Sequence, residues 1–406
     1  MKSSRPNILV IQADQLAAKY LGAYGDAIAS TPHIDSLAAS GATFESAYTN
    51  FPLCAPSRFS MMSGQLASTI EAFDNGAEFT SSIPTFAHYL RNLDYQTCLV
   101  GKMHFVGADQ LHGFEQRLTT DIYPGDFGWT GDWTEVRPKF GNDVVTFTDA
   151  GICNGAISYV DDLIGELLVV LKDTGLYDNT LILLTTDHGE MLGEHGLWYK
   201  KSFFEEACRI PLIISHPQLG QRRVGANVSL VDLLPTLLEM AGDEQQSSLV
   251  DAVAGHSLWG LASGSESVRE HPVFAENLAE GATTPLLMVK QGSLKYIHSA
   301  VDPKQLFDLE TDPQEQVNQF ENPDYREARD SLAQLVNQQW DVESLTSDII
   351  TSQRRRIFLR EALAKGKLHD WDYDPADELE QHCLRADKVY SKWAYQDIVD
   401  YRFPKE

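Results

Sequence analysis

Apolar residues fall along this chain in short blocks separated by polar residues, glycine and proline. The run NILVIQA (7–13) is a compact apolar strand pattern ended by Asp14. TPHIDSLAASG (31–41) reads as a helix stopped at Gly41, and ATFESAYTN (42–50) reads as a strand. SSIPTFAHYLRNLD (81–94) predicts a helix with Pro84 near its start, and YQTCLVGK (95–102) predicts a strand running into Lys102. The clearest periodicity lies in NGAISYVDDLIGELLVVLKDTG (154–175), where Ile157, Val160, Ile164, Leu167, Leu168 and Leu171 keep the helical repeat and Gly175 ends it. NTLILLTTDHGE (179–190) then gives a strand of the buried type, ending at Asp187 and His188. IPLIISHP (210–217) is a further strand. VSLVDLLPTLLEMAG (228–242) is a helix with Pro235 at a kink or at the junction of two short helices.

Alternating strands and helices predict an α/β sandwich around a largely parallel sheet. Sites in such sheets form beyond the carboxyl ends of the strands, where Asp14, Lys102 and Asp187–His188 are all expected. From about residue 285 the pattern changes. PLLMVKQGSLKYIH (285–298) reads as a hairpin turning at Gly292, QLFDLETDPQEQVN (305–318) adds a strand, and helices follow to about 365. The predicted organisation is a catalytic domain over 1–284, an antiparallel-sheet subdomain over 285–366, and a tail over 367–406.

Composition narrows the class. With 406 residues and 43% hydrophobic content, the chain has enough material for a large core. The formal charge of −26 opposes nucleic-acid binding. The first apolar run is too short for a signal peptide or a membrane span, so neither is expected. Five cysteines, at 54, 98, 153, 208 and 383, show no metal-ligand spacing and no even-numbered disulfide framework, which predicts a reducing cytoplasm.

Against that background, the segment CAPSR (54–58) resembles the Cys-x-Pro-x-Arg signature of type I sulfatases of the alkaline-phosphatase-like superfamily. NILVIQADQ, GKMH (101–104) and TTDHGEMLGEHGLWYKKSFFEE (185–206) follow in the family's order. SSIPTFAHYLRNLDYQT, GKMHFVGADQLHGFEQRLTTDIYPGDFGW and SQRRRIFLREAL are similar to choline-sulfatases in particular. The resemblance implies hydrolysis of choline sulfate to choline and sulfate. Its nucleophile would be the hydrate of a formylglycine made from Cys54 by a formylglycine-generating or other sulfatase-maturing enzyme. It further implies a metal site of Asp14, Gln15, Cys54, Asp187 and His188 holding Ca²⁺, with Mg²⁺ or Mn²⁺ as alternatives. Hard carboxylate oxygens suit such ions, whereas a histidine nitrogen is less usual for calcium.

For the rest of the site, the resemblance implies that Arg58 steadies the hydrate or its neighbouring ligands, and that Lys102 and Lys200 bind sulfate, with Lys201 as the alternative to Lys200. His104 would orient the hydrate or help break down the sulfated intermediate. An extended segment would point Lys102 and His104 to one side. Choline's quaternary ammonium calls for aromatic faces and carboxylates. DIYPGDFGW offers Tyr123, Phe127, Trp129, Asp121 and Asp126, of which Trp129 is the leading candidate, joined by Asn75 and Glu280. Each also has an ordinary reading as a core ring, a cap or a solvated charge.

The chain departs from the family in one place. Before GICN (151–154) choline-sulfatases carry a long stretch with a His-Pro-His-Asp-Pro-like motif, whose histidine is the expected general acid, and no such motif occurs here. Removing that stretch is expected to delete a core strand. A catalytically silent, ligand-binding sulfatase relative is therefore a competing expectation, and a phosphomonoester or phosphonate-ester hydrolase, which would use much of the same scaffold, is another, although the FGW block argues against it. TSQRRRIFLREAL and the aromatic-acidic tail resemble choline-sulfatase elements that help build oligomers, so the resemblance implies a homo-oligomer in which RRR (354–356) pairs with carboxylates across an interface, against the plain alternative of a solvated basic turn.

Overall fold

The structure is a computed structural model that describes residues 5–119, 121, 125–134, 149–217, 219–278 and 280–365. Tyr123, Cys383 and the tail beyond 365 lie outside the described residues. Its centre is a five-stranded sheet built from β1 (Asn7–Ala13), β2 (Gly41–Tyr48), β5 (Thr180–Thr186), β8 (Ile213–Ser215) and β9 (Arg222–Ser229), in the order β1-β5-β8-β2-β9. β1 pairs parallel with β5, and β2 pairs parallel with β9. The short β8 runs antiparallel to both of its neighbours, so the sheet is largely parallel with one reversed strand. β5 is buried along its whole length, as its unbroken TLILLTT run requires of a strand covered on both faces.

Helices α1 (Pro32–Ala39) and α4 (Asp149–Asp173) cover one face of the sheet, where Ile34, Leu37, Ile164 and Leu168 meet Ile182 and Leu184. The other face carries α2 (Cys54–Ser63), α3 (Phe86–Asn92) and α6 (Leu233–Met240) in the main core. α3 is shorter than the pattern over 81–94 predicts. The Thr85 hydroxyl and the His88 ring form a capping box that starts it after Pro84. The expected strand over 95–102 also contracts, to β3 (Cys98–Leu99). It pairs with β4 (Gln116–Arg117) and not with the central sheet. At Pro235 the chain uses the junction: a 3₁₀ turn at Leu230–Asp232 runs into α6, and the proline occupies the first turn, where no backbone N–H is missed.

Three small elements, β6 (Met191–Leu192), β7 (Trp198–Tyr199) and α5 (Glu205–Cys208), follow β5, and α7 (Trp259–Ser263) follows α6. A second, antiparallel sheet runs β10-β11-β12-β13, with β10 (Val273–Asn277), β11 (Leu286–Gln291), β12 (Leu294–His298) and β13 (Gln305–Asp308). Gly292 turns its central hairpin at φ +57°. The sheet thus draws one strand from before residue 285. It is pinned to the main body by Lys295, which is wholly buried and lies 2.7 Å from both Glu205 and Glu315. Helices α8 (Arg326–Gln339) and α9 (Val342–Leu363) complete the described chain.

Candidate active site

Cys54 is the first residue of α2, and Arg58 lies one helical turn further on, so both face the same way. The Asn75 side-chain oxygen accepts the Ala55 N–H at 2.9 Å and satisfies one of the donors that a helix start leaves open. Arg58 is 2% exposed and spans two carboxylates. Its Nε donates to Asp187 Oδ2 at 2.9 Å and its Nη2 to Asp14 Oδ1 at 3.1 Å. Those carboxylates follow β1 and β5, which are paired neighbours, so strand register sets their approach. Burial opposes charge on Asp187, but Arg58 and then His188 outweigh it and hold the carboxyl well below the usual carboxylate range. Ser57 Oγ donates to the Asp187 carbonyl at 2.5 Å and ties α2 to the same strand end.

The Cys54 thiol lies 3.2 Å from His188 Nε2, while His188 Nδ1 sits 2.9 Å from the Gly189 carbonyl, which only a donor satisfies. Burial alone would raise the thiol pKa. The charge of His188, the neighbouring His104 and His188 imidazoles and the charge of Lys200 reverse that and hold it well below its ordinary value, although both His104 ring nitrogens are buried with no hydrogen-bond partner among the described residues. Gly189 has no room for a side chain, since a Cβ there would stand 1.9 Å from the Glu206 carbonyl oxygen.

Ligating atoms of Asp14, Cys54, Asp187 and His188 all lie within 4.8 Å of one another. Two carboxylates and an imidazole suit a divalent cation, and Arg58 and Lys102 carry the counter-charge around them. Gln15 takes a left-handed backbone, φ +63°, that sends its N–H to Asp187 Oδ1 at 3.0 Å. Its amide is held from both sides: Nε2 donates to Glu190, and Lys200 donates to Oε1. Glu190, mostly buried, was not singled out from the sequence. Burial raises its pKa against the opposing charge of Lys200.

Lys102 Nζ donates to Asp14 Oδ2 at 2.9 Å. The expected extended alternation from Lys102 to His104 is corrected: His104 adopts φ +65°. This turn is held by Asp121, which accepts the Met103 and His104 N–H groups at 2.9 and 2.7 Å and is itself locked by Arg117 at 2.6 Å. Asp121 is therefore a buried brace for the GKMH loop. Gly125 lets the next loop close over His104, since a Cβ there would lie 2.9 Å from the ring.

Trp129 stands edge-on to His104, with ring centroids 6.4 Å apart, and is 38% exposed. Phe127 is buried, and Asp126 accepts the Gly128 N–H at 2.6 Å. Glu280 pairs with Lys201 at 2.5 Å. The fold thus gathers Asp14, Gln15, Cys54, Arg58, Lys102, His104, Asp187, His188 and Lys200. Trp129 joins them through His104, Asn75 supports the helix, and Glu280 engages the second lysine. Elsewhere, His195 stacks on Phe204 and His112 on Phe79.

Comparison with known proteins assigns the chain to a family. A family model described as Sulfatase matches residues 6–147 and 152–243, and one described as Choline sulfatase enzyme C terminal matches residues 347–388. The choline-sulfatase of Rhizobium meliloti is 34% identical over 499 residues, covering 95% of this chain and 96% of the relative. Arylsulfatase K of Danio rerio is 27% identical, covering 82% and 84%. Among solved structures, the phosphonate monoester hydrolase of Agrobacterium radiobacter superposes with a TM-score of 0.67 at 21% identity, covering 85% of this chain and 96% of that one, which speaks for the fold. The alignment to the Rhizobium meliloti protein is longer than this chain's 406 residues, so that relative carries residues with no counterpart here. The Sulfatase match breaks at 148–151, immediately before and into α4.

Proposed function

The chain belongs to the sulfatase family, and from that premise we propose that it hydrolyses choline sulfate to choline and sulfate. The observation that carries the reading is the placement of Cys54, at the start of α2 and 3.2 Å from His188, inside a ring of two carboxylates and two lysines. Oxidation of Cys54 to formylglycine gives a hydrate whose hydroxyl supplies the nucleophile. A divalent cation held by Asp14, Asp187 and His188, with Gln15 beside them, supplies charge neutralisation for the sulfate oxygens.

The chain's own residues do the rest. Lys102 and Lys200 approach the nucleophile from two sides and bind sulfate oxygens, adding positive charge where charge grows as the S–O bond breaks. His104, on the braced loop with both ring nitrogens buried and unpartnered among the described residues, orients the nucleophile or takes its proton. Arg58 fixes both carboxylates and is too well paired to move. For the alcohol portion, Trp129 offers an aromatic face to a quaternary ammonium at the mouth of the site.

The test has two stages. Peptide mass spectrometry after expression with a maturing enzyme should show the Cys54 sulfur replaced by an aldehyde oxygen. Sulfate release from choline sulfate by that protein should then depend on added divalent metal and collapse in Lys102→Ala. Unmodified Cys54, or turnover indifferent to chelator, overturns the reading.

A further inference from the structure

Helix α9 buries one stripe along its length, formed by Leu345, Ile349, Gln353 and Arg356 at helical spacing. Leu345 and Ile349 pack into the main core. The stripe then turns polar while staying buried: Gln353 is 1% exposed and Arg356 7%. A buried amide or guanidinium costs free energy unless it is bonded, and a well-packed apolar side chain in its place is often neutral or stabilising. What such polar side chains add is direction.

Both residues hold the loop that follows Trp129. Gln353 Oε1 accepts the Trp133 N–H at 3.0 Å. Arg356 Nη1 donates to Thr130 Oγ1 at 3.2 Å and to the wholly buried Asp74. Asp74 accepts the Gly131 N–H through its other oxygen at 3.4 Å. The Asp74 segment lies directly against this loop, since a Cβ on Gly76 would stand 2.8 Å from the Thr130 nitrogen. Thr130, Gly131 and Trp133 are thus each fixed by a side chain from a distant part of the sequence. On the other side of Trp129, the turn Phe127–Trp129 is closed locally by Asp126. Phe127 and Trp133 add apolar contact, but burial of this kind is non-directional, whereas hydrogen bonds fix angles. The stance of the Trp129 ring, edge-on to His104, therefore depends on what holds the residues just after it. The loop falls within the Sulfatase match and both helix residues within the Choline sulfatase enzyme C terminal match, so these bonds join the two regions.

We propose that Gln353 and Arg356 are positioning residues that set the stance of Trp129 and, through it, the preference of the site for a cationic alcohol. The inference rests on the choline sulfate reading above and gives α9 a part in specificity that acts through the loop at Thr130, Gly131 and Trp133.

The test uses variants that spare the buried charge of Asp74. Gln353→Met keeps the shape but removes the acceptor for the Trp133 N–H, Gln353→Glu keeps an acceptor, and Thr130→Val removes only the hydroxyl that Arg356 holds. The first readout is the ratio of kcat/KM for choline sulfate to that for neohexyl sulfate, the uncharged isostere with carbon in place of nitrogen. Both esters release an aliphatic alcohol, so leaving-group chemistry cancels. The wild type should favour the cation by about tenfold, and Gln353→Met and Thr130→Val should bring the ratio to within about threefold of one. The change should appear as a higher KM for choline sulfate at unchanged kcat, with Gln353→Glu restoring it. The second readout needs no substrate. In fluorotryptophan-labelled protein, the fluorine resonance that disappears in Trp129→Phe should shift in Gln353→Met and Thr130→Val and return in Gln353→Glu. A role confined to stability would lower the urea midpoint while leaving the ratio and the Trp129 resonance in place, and that outcome overturns the inference. A wild-type ratio near one overturns the choline reading, and the specificity assigned here with it. A Trp129 resonance unmoved by both variants overturns the positioning role whatever the substrate.

Discussion

Single residues decide whether this site is geometrically possible. Gly189 is an example. Its position directly after His188 admits no side chain, because the Glu206 carbonyl oxygen occupies the space where a Cβ would go. Gly189→Ala must push the backbone aside, and overpacking of this kind costs about 1–3 kcal/mol. A lower urea midpoint checks that cost, and loss of the close Cys54–His188 approach should appear as slower alkylation of Cys54, whose thiolate His188 stabilises. Asp187→Ala tests the opposite role. It leaves Arg58 buried with one carboxylate fewer and removes the acceptor of the Gln15 N–H. Metal affinity measured by titration calorimetry should fall by at least about tenfold, and unchanged affinity would remove Asp187 from the cation site. Glu190→Met should weaken metal binding less, by freeing the Gln15 amide to rotate. Glu190→Gln, which keeps an acceptor for Gln15 Nε2, should restore it.

At the scale of elements, the loops beside the sheet carry the testable weak points. His112 is buried against Phe79 and Phe105 in the loop after GKMH. Burial is the main cause that lowers its pKa from 6.5 to about 4, against the pull of Asp109. Between those two values the unfolded chain binds more protons than the folded one, so stability rises with pH there and is lost as pH falls from 6.5 toward 4. Urea unfolding near pH 7 and near pH 5 should show a loss of up to about 2 kcal/mol in the wild type that is absent from His112→Asn. Asparagine tolerates the left-handed backbone at this position, φ +39°.

α9 offers a second case. The basic triplet 354–356 lies within this helix and is not a turn, and Arg356 is mostly buried, bonded to the wholly buried Asp74 and to Thr130. That residue ties α9 to the buried Asp74 and to Thr130 of the same chain. Arg356→Met strands a buried carboxylate and should cost about 3–5 kcal/mol. Asp74→Asn in the same chain should recover much of it, as denaturation curves would show.

What the sequence made legible follows from how local each signal is. β5 and α4 were readable because a continuous apolar run and a strict helical repeat need no partner to be recognised. The ends of β1 and β5 placed Asp14 and Asp187 correctly for the same reason. β3 and α3 were overextended, since a capping box and a cross-loop bridge decide their limits, and neither has an apolar period. Glu190 and Asp121 were missed or misassigned because their roles exist only through Gln15, Met103 and Arg117, which approach from other segments. A buried acid two residues past Asp187–His188 was the one available hint for Glu190.

The whole molecule sets the final expectation, because the departure in length bears on the reaction itself. Choline is an aliphatic alcohol, and its alkoxide leaves poorly unless a proton or strong local charge meets it. The histidine-bearing stretch that the choline-sulfatase resemblance assigns to that task has no match in this sequence. Of the other histidines, His112 and His195 are stacked on aromatic rings away from Cys54. General acid catalysis contributes about 10²–10⁴-fold, so the chain alone should turn over choline sulfate slower by roughly that factor than its intact nucleophile and lysines would allow. An aryl sulfate loses far less, since a phenolate departs without protonation. The measurement is the ratio of kcat/KM for an activated aryl sulfate to that for choline sulfate, on folded protein whose Cys54 conversion has been verified by mass spectrometry. A ratio near unity with efficient choline sulfate turnover would overturn this expectation and move the proton-donor role to His104, an imidazole on the loop braced by Asp121 whose buried ring nitrogens have no hydrogen-bond partner among the described residues.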